Sequence, residues 1–225
     1  MLEVGGFQPF STTDWPGRLA AVVFVQGCPW RCSYCHNPDL QPRARDEAAP
    51  WDWPAVRSVL EHRRGLLDGV VFSGGEPTLD PYLPQAIDDA RALGFGIGLH
   101  TAGIYAKWLA ELLPRLDWIG LDLKAAAAGY DDVTGARGSA LAAQRALALV
   151  AGSGVACEVR TTYSAELQRP DDLLDMARQL REAGVARWVL QRRRTEAGGG
   201  WTVEAPPAAD MLARLAAEGL QIELR

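Results

Sequence analysis

Lysine is nearly absent from this 225-residue sequence: of its 23 lysine and arginine residues, only Lys107 and Lys124 are lysines. Where arginine supplies almost every cation, a lysine marks a position that favours a compact point charge, or stands there by chance. Long apolar runs are also missing, and none approaches the ~18 residues of a membrane-spanning helix. The N-terminus lacks a basic start followed by an apolar signal core. We therefore expect a cytoplasmic protein without a membrane partner.

An excess of positive charge is a further absence, because the formal net charge is −5. This balance argues against a general nucleic-acid partner or a membrane surface. The length fits one domain spanning residues 1–225. A chain of this size buries roughly 70% of its unfolded surface, so it needs neither a disulfide nor a metal to fold.

Apolar, β-branched runs alternate with helical patterns along the chain. The predicted strands are residues 20–27, 69–73, 95–101, 117–124, 155–163 and 186–191, with a short terminal strand at 221–225. The predicted helices are residues 51–67, 80–94, 104–116, 139–154, 169–184 and 205–219. Near-continuous apolar strands separated by helices are typical of a parallel sheet covered by helices. Six such units fit an open doubly wound sheet or an incomplete barrel.

Polar motifs follow each predicted strand at the point where it ends. In chain order they are a cysteine-containing segment, GGEP, HTAG, DLK, RTTY and QRRR. Groups at the C-terminal ends of successive strands converge on one mouth when the sheet curls. We therefore predict an α/β fold, a partial (β/α)6 TIM-like barrel with a short C-terminal strand. Its cysteine loop (residues 27–38) follows the first predicted strand.

The cysteine loop contains three of the four cysteines, Cys28, Cys32 and Cys35, followed by His36. Three cysteines and a histidine are a legitimate structural zinc set, although the adjacent Cys35 and His36 would strain a closed tetrahedron. C-x-x-C-H is also the attachment pattern of c-type haem, which belongs to exported proteins. A redox dithiol of the C-x-x-C kind is the third alternative, and it leaves the other strand-end motifs without a role.

An iron–sulfur cluster is the fourth alternative. A [4Fe–4S] cube ordinarily takes four cysteine thiolates. Three cysteines on one loop hold three irons and leave the fourth open to a small chelating molecule. Cys157 is a conceivable fourth ligand, but it lies within the predicted strand 155–163, where a free cysteine is more typical of core packing.

The spacing C-x3-C-x2-C, with an aromatic residue before the last cysteine, resembles the signature of the radical S-adenosylmethionine (SAM) enzymes. GGEP after the second predicted strand is that family's next marker. The resemblance covers residues 14–38, 69–79, 118–124 and 158–163. There the chain is most similar to the activating proteins of anaerobic ribonucleoside-triphosphate reductase, relatives of the pyruvate formate-lyase activases, which share the CHN after the last cysteine. The resemblance implies an oxidoreductase with a [4Fe–4S] cluster and SAM as cofactors.

The resemblance also implies a reaction. The methionine amino and carboxylate groups of SAM would chelate the open iron of a cluster held by Cys28, Cys32 and Cys35. One electron, supplied by flavodoxin or ferredoxin, would then release a 5′-deoxyadenosyl radical. That radical would abstract hydrogen from a glycine of the reductase catalytic subunit. Other targets stay open: a pyruvate formate-lyase-type partner, or a small heterocycle as in the 7-carboxy-7-deazaguanine synthases. A non-catalytic zinc-binding protein is a further alternative.

Contacts to the cofactors are expected at the strand ends. Tyr34 is similar to the family residue near the adenine, and a backbone edge at GGEP is suited to the methionine ammonium. Asp122 and Lys124 point to one side of their strand, from which Lys124 would reach the methionine carboxylate. Arg160 has the planar fork that suits a carboxylate; its structural alternative is an ion pair with Asp122 or Glu158. The other candidates for cofactor binding are His36, Asn37, Gly74, Gly75, Glu76 and Thr101.

Two strand-end motifs have no clear assignment. His100 begins HTAG, where many glycyl-radical activases carry Asp-Thr-Asn-Gly, so a carboxylate role does not transfer to it. Arg192–Arg194 form either a solvated face or a contact with phosphates or an acidic patch of a protein substrate. The glycines at 198–200 indicate a mobile loop beside them.

Overall fold

The structure is a computed structural model, and it describes residues 1–44, 50–197 and 200–225, with the side chains of residues 196, 197 and 200 left aside. The strands are β1 Val4–Ser11, β2 Ala20–Val25, β3 Gly69–Gly74, β4 Gly96–Thr101, β5 Trp118–Asp122, β6 Ala156–Tyr163, β7 Arg187–Arg192, β8 Arg194–Ala197, β9 Gly200–Val203 and β10 Gln221–Leu224. The helices are α1 Trp53–Glu61, α2 Leu83–Ala92, α3 Ala106–Leu112, α4 Tyr130–Thr134, α5 Ser139–Gly152, α6 Pro170–Glu182 and α7 Ala209–Ala217.

The main sheet has the strand order β1-β2-β3-β4-β5-β6-β7-β10. Strands β2 to β7 and β10 are parallel, and β1 pairs antiparallel with β2. From β2 onward the order follows the chain without the reversal that defines a doubly wound sheet. Crossovers of one hand then place the helices on one face. The predicted partial barrel is confirmed, and its edges β1 and β10 do not pair with each other.

Two apolar cores lie on opposite faces of the sheet, which explains why its strands read as continuous apolar runs. The outer core packs the helices against the sheet through side chains such as Val23, Phe72 and Leu99. The inner core is much smaller and lies inside the curl of the sheet. It consists of Trp15, Ala20, Val22, Val71 and Trp118, with Phe24 packed against it.

Trp15 forms the floor of the barrel interior. It lies on the β1–β2 connection, is 8% exposed, and stacks on Trp118 with ring centroids 5.9 Å apart. Glycines make room for it: a Cβ added at Gly69 would lie 2.6 Å from the Trp15 ring, and one at Gly98 would lie 3.1 Å from it. The interior is therefore filled at its lower end, and its accessible groups lie at the C-terminal ends of the strands.

Three elements differ from the predicted pattern. Strand β1, helix α4 and the β8–β9 hairpin were not predicted, and the hairpin replaces part of the expected loop after β7. Residues 198 and 199, at the expected mobile glycine run, lie outside the described residues. In the described part of the chain, no helix combines the length and apolarity needed to cross a bilayer.

Candidate active site

The first half of the cysteine loop is fixed by hydrogen bonds to the segment that follows it. The Gly27 amide donates to the Leu40 carbonyl at 2.8 Å, and the Cys28 amide donates to the Gln41 carbonyl at 3.0 Å. The Gln26 side chain adds bonds to the carbonyls of Asp39 (2.9 Å) and Pro42 (2.7 Å). These hydrogen bonds hold the start of the loop, including Cys28, against the segment that follows the loop.

The second half of the cysteine loop is fixed by helix α4. The Arg31 amide donates to the Thr134 carbonyl at 2.8 Å, and the Ser33 amide donates to the Val133 carbonyl at 3.1 Å. The last carbonyls of a helix have no partner within the helix, so they are free to accept these amides. A turn within the loop, in which the Cys35 amide donates to the Cys32 carbonyl at 3.1 Å, completes the path.

The three loop cysteines are free thiols, and each is half-buried. Burial raises the pKa of the Cys28 thiol to about 11. Burial also raises the pKa of the Cys32 thiol, and the positive charge of Lys124 opposes that rise. Thiolates are the form that binds a metal. The Cys28 and Cys32 thiols therefore keep their protons until a metal displaces them.

A charged cluster on the inner face of the sheet lies opposite the cysteine loop. Arg160 is buried and donates through Nε (3.1 Å) and Nη2 (2.9 Å) to one oxygen of Asp122. Lys124 Nζ lies 3.5 Å from the other Asp122 oxygen and 5.8 Å from the centroid of the Tyr34 ring. Burial raises the pKa of Asp122, but the charges of Arg160 and Lys124 outweigh it, so the net shift is downward. Two cations and one carboxylate leave a single net positive charge facing the loop.

The two glycines of GGEP are accounted for by close approach to the cysteine loop. Gly74 has φ +123°, a backbone region that favours glycine, and an added Cβ would lie 2.4 Å from the Val25 amide nitrogen. A Cβ on Gly75 would lie 2.3 Å from the Gly27 carbonyl oxygen. The Gly75 amide donates to the Val25 carbonyl at 3.0 Å. GGEP is thus packed directly against the start of the cysteine loop.

Glu76 joins the ends of β3 and β4. Its side chain is fully buried and accepts from the Thr78 amide (3.1 Å), the Thr78 hydroxyl (2.6 Å), the Thr101 hydroxyl (2.6 Å) and the Ala102 amide (3.0 Å). The Thr101 hydroxyl in turn accepts from the Gly103 amide at 2.9 Å. Both side chains are engaged within the protein, and a contact from either of them to SAM stays a prediction.

His36 and Asn37, at the end of the loop, are exposed. His36 Nε2 accepts from the Arg194 amide at 3.3 Å, which places the β8–β9 hairpin beside the last cysteine. The part of the His36 ring that is shielded from water lowers the pKa of His36, and the charges of Arg194 and Lys124 lower it further. The neutral ring is the form that can accept this bond. Of the arginine run, Arg193 pairs with Glu166 at 3.1 Å and Glu204 at 3.5 Å, fixing the base of the hairpin.

His100 lies on the inner face between the floor and the charged cluster. Its Nε2 is 2.7 Å from the Asp14 carbonyl oxygen, its Nδ1 is 3.3 Å from the Ser73 hydroxyl, and its ring meets Trp118 edge-on. Burial lowers its pKa to about 3. His100 thus fixes the β1–β2 connection that carries Trp15.

Cys157 is separated from the other cysteines. In the register of β5 and β6, Cys157 lies opposite Ile119, three residues before the pair Asp122 and Arg160. Its side chain packs against the outer core. The inner-face positions of β6 are Glu158 and Arg160, so Cys157 points to the opposite face. Cys157 is therefore placed away from the mouth.

Comparison with known proteins identifies the family. The model of the radical SAM superfamily matches residues 22–190, well over half of the chain. The chain belongs to the radical SAM superfamily.

Curated relatives of this radical SAM protein include activating enzymes. It is 26% identical over 199 residues to a Methanocaldococcus jannaschii protein provisionally named glycyl-radical enzyme activating enzyme MJ1227, covering 80% of this chain and 75% of that one. It is 33% identical over 142 residues to the pyruvate formate-lyase-activating enzyme of Clostridium pasteurianum, covering 60% of this chain and 58% of that one. Among solved structures, SuiB of Streptococcus suis bound to S-adenosylmethionine has a similar fold, with a TM-score of 0.65 at 15% identity, covering 89% of this chain and 48% of that one. The chain therefore spans about half of SuiB and somewhat more of the Clostridium enzyme.

The cofactors of the radical SAM family are a [4Fe–4S] cluster and SAM, and the donor set here fits such a cluster. Three half-buried thiols lie on one loop, and the positive charge of Lys124 acts on two of them, Cys28 and Cys32. Among the described residues, no three Cys, His, Asp or Glu side chains converge on a point that could hold a single ion. A cube takes each thiolate at a separate corner, which suits three thiols spaced along one loop.

The sequence did not point to several residues that shape this site. Trp15, Tyr130, Val133 and Thr134 all contact or support it, and none was a candidate. For α4 the signal was present in YDDVTG, since a short polar segment ending in glycine is typical of a helix end. For Trp15, only the three-dimensional structure reveals its contacts with glycines on distant strands.

Proposed function

We propose that this radical SAM protein activates a glycyl-radical enzyme, and that its target is a glycine of the anaerobic ribonucleoside-triphosphate reductase catalytic subunit. The observation that carries the activase assignment is the similarity to the Methanocaldococcus protein, which extends over most of both chains. The segments 14–38 and 118–124, which resemble reductase activating proteins, support the choice of target.

The proposed roles follow from the positions of the side chains. Cys28, Cys32 and Cys35 hold the cluster, and the net positive charge shared by Arg160, Asp122 and Lys124 attracts the methionine carboxylate. When bound, the reduced cluster and SAM supply a 5′-deoxyadenosyl radical that takes a hydrogen atom from the target. Tyr34, which lies between two of the cysteines in the sequence, would contact the adenosyl group.

The remaining candidates act on the loops around the cofactor. Gly74 and Gly75 let GGEP approach the cysteine loop and present backbone to the methionine ammonium. Glu76 and Thr101 hold that backbone in place through their mutual hydrogen bond. His36 and Asn37 complete the end of the loop. Because Trp15 fills the lower end of the barrel, the target would have to reach the cofactors from the mouth.

The test is the formation of a glycyl radical on the partner. The protein is reconstituted anaerobically with iron and sulfide, reduced, and mixed with SAM and the candidate reductase subunit. We expect an electron paramagnetic resonance doublet from the glycyl radical, and 5′-deoxyadenosine as a product. Undiminished 5′-deoxyadenosine formation without a doublet on the reductase would refute the proposed target.

A second candidate target is a pyruvate formate-lyase-type enzyme, favoured by the 33% identity to the Clostridium activating enzyme. The same experiment with that partner distinguishes the two, because the doublet then appears on the formate lyase instead. We further propose flavodoxin or ferredoxin as the electron donor, tested by replacing the chemical reductant with either protein. A cytoplasmic location is proposed because four free cysteines suit a reducing compartment.

Cysteine variants separate the ligands from the fourth thiol. Replacing Cys28, Cys32 or Cys35 with alanine should abolish SAM cleavage, because each removal leaves a cluster corner without a thiolate. Cys157→Ala, the matched control, should keep its iron and most of its activity, since that thiol faces the outer core. Loss of the cluster in the Cys157 variant would contradict the assignment of three protein ligands.

A further inference from the structure

Helix α4 connects two parts of the site that are distant in sequence. Its C-terminal carbonyls, at Val133 and Thr134, accept the amides of Ser33 and Arg31 in the cysteine loop. At its first residue, the Tyr130 hydroxyl accepts the backbone amide of Lys124 at 3.1 Å. One short helix therefore contacts both the loop with the cysteines and the strand end with the cation opposite them.

The Tyr130 side chain by itself also contacts both the cysteine loop and the strand end that carries Lys124. It is 1% exposed, and its ring meets the ring of Trp30, within the cysteine loop, edge-on at 5.9 Å. The ring thus contacts the loop between Cys28 and Cys32, while the hydroxyl holds Lys124. A buried amide without a partner is costly, so the Lys124 backbone is held at the position that this hydroxyl sets.

The helix is itself held by a hydrogen-bond network at its far end. The Thr134 hydroxyl lies 2.9 Å from the Tyr130 carbonyl oxygen and 2.7 Å from the Ser139 hydroxyl. The Ser139 hydroxyl donates to Asp131 at 2.8 Å, and Asp131 also accepts the Gly138 amide at 2.8 Å. Because all these groups are within or next to α4, the helix keeps its shape independently of a ligand.

We propose that Tyr130 is a positioning residue that sets the separation between Lys124 and the cysteine loop, with α4 as the rigid support. The inference rests on the proposed assignment of the cysteines and Lys124 to the cofactor site. The Tyr130 hydroxyl bonds to the Lys124 amide and the Tyr130 ring packs on Trp30, so the effect on the cofactors passes through Lys124 and Trp30.

The first test is Tyr130→Phe, which keeps the ring against Trp30 and removes only the hydroxyl. Tyr82→Phe, at a tyrosine 53% exposed on the outer surface, is the matched control. In the reconstituted protein we expect roughly tenfold weaker SAM binding, equivalent to 1.4 kcal/mol, with about four irons retained. The change in the paramagnetic resonance spectrum of the reduced cluster on adding SAM should also be altered. A SAM affinity and spectrum equal to those of the Tyr82 variant would overturn the proposal.

The second test uses the metal-free protein, so it does not depend on cluster loading or on any partner enzyme. Thr134→Val removes the hydroxyl that ties the two ends of α4, and Thr134→Ser keeps it. Amide hydrogen exchange at Arg31, Ser33 and Lys124 should quicken at least fivefold in the valine variant and return towards the parent rate in the serine variant. Equal exchange rates in the parent and the two variants, or an equal rise in rate in both variants, would show that α4 does not support the loop. A missing glycyl radical would leave this result unchanged, which separates it from a failure of the proposed target.

Discussion

Replacing Trp15 with alanine tests whether one side chain fills the lower end of the barrel. Trp15 is 8% exposed, stacks on Trp118, and lies over glycines of the two neighbouring strands β3 and β4. A buried tryptophan replaced by alanine costs about 3 to 5 kcal/mol. We expect about 4 kcal/mol, because the surrounding strands are held by their hydrogen bonds and cannot collapse into the space.

A second substitution shows that the loss comes from this contact. In the parent protein, Gly98→Ala would place a methyl group 3.1 Å from the Trp15 ring and 3.0 Å from Val71, an overpacking that costs about 1 to 3 kcal/mol. In the Trp15→Ala background the ring is gone and only the Val71 contact is left. The free energy of unfolding lost in the double variant should therefore be about 1 kcal/mol smaller than the sum of the losses in the two single variants.

Urea unfolding of the metal-free, reduced protein, followed by far-ultraviolet circular dichroism, measures the free energy of unfolding of the parent, the two single variants and the double variant. Circular dichroism of the backbone is chosen because removing a tryptophan changes the fluorescence signal itself. If Trp15→Ala lowers the free energy of unfolding by less than about 1 kcal/mol, Trp15 does not fill the lower end of the barrel, because replacing a buried tryptophan with alanine costs more than this. Strict additivity of the two substitutions would refute the contact with Gly98.

Three further predictions concern the polar groups of the site. Asp122→Asn should lower the free energy of unfolding by about 2 to 4 kcal/mol, because Arg160 and Lys124 lose their shared carboxylate; a loss under 1 kcal/mol in urea titrations would contradict this. Glu76→Gln should cost about 2 to 4 kcal/mol, because an amide group turns one donor towards a buried backbone N–H; Glu76→Asp, which keeps the charge, indicates how much is due to length. His100 has a pKa of about 3 when folded and 6.5 when unfolded, so only the unfolded chain takes up its proton between these values. As far as His100 is concerned, the free energy of unfolding should therefore be nearly constant above about pH 7.5 and fall by about 1 kcal/mol per pH unit between pH 6 and 5; an equal slope in His100→Gln would exclude this origin.

The parallel strands could be predicted because they are buried on both faces. A run such as residues 20–25, AAVVFV, leaves no polar position for a helical or half-exposed pattern. The position of the cysteine loop after a strand could be predicted for the same reason, because polar residues follow where the buried strand ends. The curl of the sheet then brought motifs from distant parts of the sequence to one mouth.

The elements that were not predicted are either too short to show a period or depend on partners that are distant in the sequence. Strand β1, VGGFQPFS, contains two glycines and a proline, which disfavour a strand in isolation. It forms because it lies at the sheet edge, where a proline without an amide proton is tolerated. Helix α4 has only five residues, too few for a period to be visible. Arg192–Arg194 read as one basic run, yet the structure divides them between the end of β7, the Arg193 ion pairs and the start of β8.

The hydrogen bonds of the cysteine loop have a consequence for how the metal enters. The amides of Gly27, Cys28, Arg31, Ser33 and Cys35 all find their partners in the protein itself. In small zinc domains, by contrast, the ion supplies the energy that folds the chain. Here folding of the polypeptide alone fixes the positions of the thiols, so their conformational entropy is lost before the metal binds. Iron and sulfide then enter a loop that is already folded. A chelator should remove the cluster and leave the melting temperature of the polypeptide nearly unchanged.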